Sequence, residues 1–188
     1  MNIDDIITGL YPLPEHAKIL LKSQFKEITY PKGHILLKED CVEEHIYFIK
    51  RGVVRAYSNA INGQVTFWFG LEGAPVLSMH SYIFGKKSYE RIELLEDCDL
   101  YKINILELRS LYEKDVHLAN WGRKLAEQEL VKTEERLIAM QFKTAQERYM
   151  DLMNDQPALL LRVQLGYIAS YLGMSQVSLS RIRADKKK

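Results

Sequence analysis

Two changes of hydrophobic period divide the chain and restrict it to a β unit lying between two helical segments. Residues 3 to 29 carry short helical patterns interrupted by Pro12 and Pro14, then an amphipathic stretch from His16 to Phe25. From Pro31 to Ile103 the pattern is short strands separated by turn residues. Ile46 to Ile49 and Val53 to Tyr57 flank Lys50-Arg51-Gly52, which reads as a compact hairpin. Asn62-Gly63 is a stronger turn signal, placed before the aromatic strand Val65 to Phe69. Ile92 to Leu95 and Leu100 to Ile103 bracket the acidic turn Glu96 to Asp99. Strands at a spacing of about 8–12 residues predict an antiparallel sandwich, barrel or roll. Gly33, Gly52, Gly63, Gly73 and Gly85 fall where such strands reverse.

From Ile105 onward the period is helical, and the stretch from about Val116 to Lys143 contains no proline. One stripe along it reads Ala119, Gly122, Ala126, Leu130, Thr133, Leu137, Met140, with steps of three or four. A stripe this narrow resembles a coiled-coil seam, and its small residues allow close approach of a partner helix. Leu118, Trp121 and Leu125 form a second face, suited to packing on the β unit. Two apolar faces imply two neighbours: the favoured reading is a second copy of the chain, the alternative a helix wholly buried within one monomer.

The segment Leu165 to Ala184 carries the most specific pattern. Leu165, Ile168, Ala169 and Leu172 define an inward helical face. Gly173 supplies a left-handed residue to end that helix, and Ser175 caps the next one. Leu179 and Ile182 give the second helix its buried edge. The tight turn and the small Ala169 fit a helix-turn-helix. Gln176, Val177, Ser180, Arg181 and Ala184 remain on the outer face, with Ser178 at its margin. Gln and Arg suit bidentate contacts to adenine and guanine edges, whereas Ser175, Ser178, Ser180 and Arg183 suit phosphate oxygens. The charge distribution agrees. Residues Arg162 to Lys188 hold six basic side chains against one acid, a local +5 within a total of +1, which leaves −4 on the rest.

These patterns together resemble the Crp–Fnr family of transcription regulators. The resemblance rests on IYFIKRGVVRAY, NGQVTFWF, LLEDCDLYKI, the long helix and YIASYLGMSQVSLSRIR, and it covers nearly the whole chain. The ending Leu179 to Arg183 is especially close to short members from Bacteroidetes-type bacteria. The resemblance implies an α+β fold: an antiparallel, cyclic-nucleotide-binding-like β-roll of jelly-roll type, a long dimerisation helix and an all-α helix-turn-helix. The corresponding segments are 1–115, 116–143 and 144–188. It implies a cytoplasmic homodimer that binds a near-palindromic operator in double-stranded DNA and acts on RNA polymerase.

Two positions depart from the family pattern. Relatives that bind a cyclic nucleotide carry Gly-Glu and, about ten residues later, Arg followed by a small residue, for the ribose and the phosphate. Gapless alignment places Leu77-Ser78 at the first pair and Ser88-Tyr89 at the second. Serine cannot neutralise a phosphate, so cyclic AMP is not expected, and the effector pocket is left open to another small molecule or to none. In the recognition helix, Val177 stands where the family carries an acid, replacing a cytosine acceptor with an apolar contact to a thymine methyl. The chain also ends directly after that helix, without the sequence for a β wing, and Lys186 to Lys188 are candidates for the lost phosphate contacts.

Other classes fit less well. Two cysteines are too few for a four-thiolate cluster, the five histidines show no decisive spacing for an axial haem ligand, and no metal site or cofactor is identified. A cupin enzyme needs clustered His and acidic ligands that the sequence lacks. No apolar run approaches a membrane span, and the first residues lack a secretory pattern. The remaining alternative is a dimeric ligand-sensing module that works through protein partners without specific DNA binding.

Overall fold

The computed structural model describes residues 1–61 and 63–185. Asn62 and the Lys186 to Lys188 tail, both singled out in the sequence, lie outside the described residues. Helices α1 (Ile3–Leu10) and α2 (Glu15–Ser23) precede strands β1 (Lys26–Tyr30), β2 (Ile35–Leu37), β3 (His45–Arg51), β4 (Val54–Ala60), β5 (Gly63–Gly70) and β6 (Pro75–Val76). A short helix α3 (Met79–Phe84), strands β7 (Arg91–Leu94) and β8 (Cys98–Asn104), and helices α4 (Ile105–Lys114) and α5 (Val116–Phe142) follow. The chain then runs through α6 (Ala145–Asp155), α7 (Pro157–Arg162), α8 (Leu165–Tyr171) and α9 (Gln176–Asp185).

The strands form two four-stranded sheets, ordered β1-β8-β3-β6 and β2-β7-β4-β5. This is the antiparallel roll that the turn spacing predicts. One local expectation is corrected. Lys50-Arg51-Gly52 does not close a hairpin, because β3 and β4 belong to different sheets. The acidic turn between β7 and β8 also passes from one sheet to the other. The two links share a corner: a side chain at Gly52 would fall on Cys98 Sγ and within 3.1 Å of Cys98 Cα. Gly52 has φ 118°, a conformation open to glycine and costly for other residues. All five glycines of the β unit named above have positive φ.

Contacts divide the described chain into two compact units, Met1–Ala56 with Phe69–Glu129 and Tyr57–Trp68 with the described residues from Leu130 onward. The core of the first joins Ile3, Ile6, Ile7 and Leu21 to Ile46 and Phe48 of β3, Tyr101 and Ile103 of β8, and Leu108 of α4. Leu118, Trp121 and Leu125 of α5 complete it, as their spacing predicts. Asn104 caps α4 by accepting from Leu106 N–H at 2.8 Å, and Asp115 accepts from His117 N–H at 2.7 Å at the start of α5. In the second unit, Thr144 and Glu147 form a reciprocal capping box at the start of α6.

The expected seam on α5 is altered near both ends. Gly122 lies against Tyr112, whose hydroxyl stands 2.6 Å from where a Cβ would be. Met140 lies over Gly173, with its methyl 2.6 Å from the corresponding Cβ position. Between them Ala126, Leu130, Thr133 and Leu137 are exposed.

Candidate nucleic-acid interface and effector region

Helices α8 and α9 are joined by a turn that satisfies the end of α8. Gly173 is left-handed, with φ 66°. Its N–H donates to Ser170 O at 3.1 Å, and Met174 N–H donates to Ala169 O at 3.0 Å. This is the Schellman pattern, in which the residues after the helix bond back to its last carbonyls. Ser175 then caps α9: Ser178 N–H donates to its Oγ at 3.1 Å. Ile168, Ala169, Leu172 and Leu179 are buried, while Leu165 and Ile182 are half-buried at the margin. The inward face is therefore the one read from the spacing.

The same packing turns Gln176, Val177, Ser178, Ser180, Arg181, Arg183 and Ala184 to the surface. Five of them, Gln176, Val177, Ser180, Arg181 and Ala184, line one open depression. Gln176 Oε1 lies over Gly166, 3.4 Å from where a Cβ would stand, so the absent side chain of Gly166 makes room for it. One amide, two serine hydroxyls and two guanidinium groups are thus exposed on this helix. This set has the chemistry to pair with base edges and phosphates. No group of three potential metal ligands occurs among the described residues.

The four candidate effector residues lie in different local settings. Leu77 packs against the core. Ser78 is buried and caps α3, accepting from Ser81 N–H at 3.3 Å. Ser88 is buried and ties two loops together: its hydroxyl donates to Lys38 O at 2.7 Å, and its N–H donates to Cys41 O at 2.9 Å. Asp40 N–H in turn donates to Ser88 O at 2.9 Å. Tyr89 is exposed. His80 is held by Lys87 O, 2.7 Å from Nδ1. Ser81, which sequence reasoning did not single out, is buried with its hydroxyl donating to Lys86 O at 2.9 Å. Ser78 and Ser88 therefore serve the fold of their own loops. The cap Ser78-to-Gly85 around α3 was the signal that could have revealed this helix.

Residues 27–115 match the family model of the cyclic nucleotide-binding domain. The roll has the cyclic nucleotide-binding domain fold. A curated relative, cyclic GMP-binding protein C of Dictyostelium discoideum, is 27% identical over 107 residues, which is 55% of this chain and 4% of that protein. The chain therefore spans only a small fraction of that relative's length. Among solved structures, FixK2 of Bradyrhizobium japonicum superposes with a TM-score of 0.76 at 22% identity, over 86% of this chain and 83% of that one. A transcriptional regulator of the Crp/Fnr family from Eubacterium rectale gives 0.70 at 17% identity, over 93% and 85%. At these identities the likeness is one of fold, and it extends past the roll into the helices. No helix among the described residues is long and apolar enough to cross a membrane.

Proposed function

We propose that this chain is a sequence-specific DNA-binding transcription regulator of the Crp–Fnr type, working as a homodimer and not as an enzyme. The observation that carries the reading is the exposed Gln176, Val177, Ser180, Arg181 face of α9, held outward by the Gly173 turn and the buried Leu179. The exposed Leu130 and Leu137 on α5 support pairing through that helix. Two copies would present their α9 helices to successive major grooves, about 34 Å apart, on a near-palindrome. Val177 would meet an apolar base edge such as a thymine methyl. The roll is the sensing module of this design, with an effector other than cyclic AMP or none.

Selection of bound fragments from the source genome, followed by gel-shift titration, tests the reading directly. Arg181→Ala is expected to weaken binding to the selected operator by about 1–3 kcal/mol and to relax preference at one base position. Unchanged affinity and preference would remove Arg181 from the reading face. A wild-type chain that selects no sequence from the pool would defeat the DNA-binding reading itself.

A further inference from the structure

Four consecutive residues at the end of α8 are held by three parts of the second unit: α5, α6 and a strand. Tyr171 O accepts from Arg136 Nη2 of α5 at 2.7 Å, and the same guanidinium stacks on the Tyr171 ring with Cζ 3.8 Å from its centroid. Leu172 O accepts from Arg148 Nε of α6 at 2.9 Å. Gly173 lies under Met140. Ser170 is held by a strand, not by a helix. Thr66 N–H donates to Ser170 Oγ at 2.9 Å, and that hydroxyl donates to Gln64 O at 3.2 Å.

The strand contact has a specific geometry. β5 is an edge of its sheet, so the N–H and C=O groups on its outer side face no further strand. Gln64 and Thr66, two apart, present an acceptor and a donor on that side. One serine hydroxyl satisfies both, as a neighbouring strand would. Thr66 is buried at the contact, with 1% of its surface accessible. Residues 57–68 of the β4–β5 hairpin accordingly group with the C-terminal helices, while Phe69 and Gly70 of the same strand group with the roll. A single strand thus runs from the roll into the unit that holds α9.

We infer that Ser170 is a latch by which the edge of β5 sets the position of the α8–α9 turn, making it a positioning residue for DNA reading. The inference rests on the function proposed above. The latched arrangement leaves the outer face of α9 open, so it is the arrangement that reads. A shift of the hairpin would reach α9 through Ser170 and Gly173 without passing through α5. Losing the latch leaves α9 to be ordered at the moment of binding, which lowers affinity.

Hydrogen–deuterium exchange resolved to single amides, on the full chain without DNA, tests the latch. Ser170→Ala is expected to speed exchange at Thr66 by about tenfold or more, and at Gly173, Met174, Ser178 and Leu179 by roughly threefold to tenfold. Ser170→Thr, which keeps the hydroxyl, should restore both. Thr66→Pro removes the donor from the strand side instead; proline is tolerated at a sheet edge where the N–H points away from the ladder. It should give the same acceleration at the four turn and α9 amides. Acceleration confined to residue 66 in Ser170→Ala, or none in Thr66→Pro, overturns the latch. In gel shifts, Ser170→Ala and Thr66→Pro should each weaken operator binding roughly threefold to tenfold with the salt slope unchanged. Faster exchange with unchanged affinity would overturn the positioning role. A wild type without salt-sensitive DNA affinity would defeat the proposed function, and the exchange data would still decide whether the hairpin holds the turn.

Discussion

Trp121→Ala is expected to lower the stability of the first unit by about 3–5 kcal/mol, the range for deleting a large aromatic from a packed core. Trp121 has no accessible surface. Its indole N–H donates to Ile7 O at 3.0 Å, and its ring centre lies 6.0 Å from that of Phe48. One side chain therefore joins α5 to both α1 and β3. Its removal leaves a void that no single neighbour can close, because the surrounding residues belong to separate elements. Urea unfolding followed by circular dichroism measures the change. Trp121→Phe keeps most of the volume and loses only the hydrogen bond, so it should cost clearly less. Similar losses for the two variants would show that the hydrogen bond, and not packing, dominates at this site.

Gly52→Ala is the second change with a large expected effect. The new methyl would collide with Cys98 Sγ, with Cys98 Cα and Cβ both at 3.1 Å, and the backbone φ of 118° is unfavourable for alanine. Strain of this kind costs on the order of 1–3 kcal/mol, and overpacking adds about 1–3 kcal/mol. The midpoint of thermal unfolding should fall by about 8 °C or more, at roughly 4–8 °C per kcal/mol in a domain of about 100 residues. Adding Cys98→Ala removes the sulfur but not the Cα and Cβ contacts, so it should recover only part of the loss. Full recovery would place the whole effect at the sulfur and none in the backbone.

The corner at Gly52 also shows where sequence reasoning stops. A short link containing glycine serves equally for a hairpin within one sheet and for a step between two sheets. Only the partner strands distinguish them, and these are Leu100 and Tyr101, some fifty residues away. A cue was present in β3 itself: Ile46, Tyr47, Phe48 and Ile49 are all buried, a continuous apolar run that marks a strand covered on both faces. The glycine conformations, the extent of α5 and the packing of α8 on α9 were legible because each depends on residues near in sequence. Thr144-Ala145-Gln146-Glu147 carries the pattern of a capping box, a local signal that sequence reasoning did not single out. The role of Ser88 was not legible, because its partners at Lys38 and Cys41 are fixed by loop geometry that leaves no periodic trace. The Ser170 contact with β5 was invisible for the same reason, spanning more than a hundred residues.

Tyr112 fills the space beside Gly122, and Met140, although exposed, lies over Gly173; the stretch of the α5 stripe between these two contacts runs from Ala126 to Leu137. Twelve helical residues measure about 18 Å, little more than three turns. Under the proposed function, a dimer seam of that length would favour an assembly that forms and dissociates with the protein concentration. Operator occupancy would then rise with roughly the square of the amount of chain while the dimer is scarce, by mass action. Under the proposed function, a modest change in expression would produce a steep change in output, a dose response built into the length of a helix face.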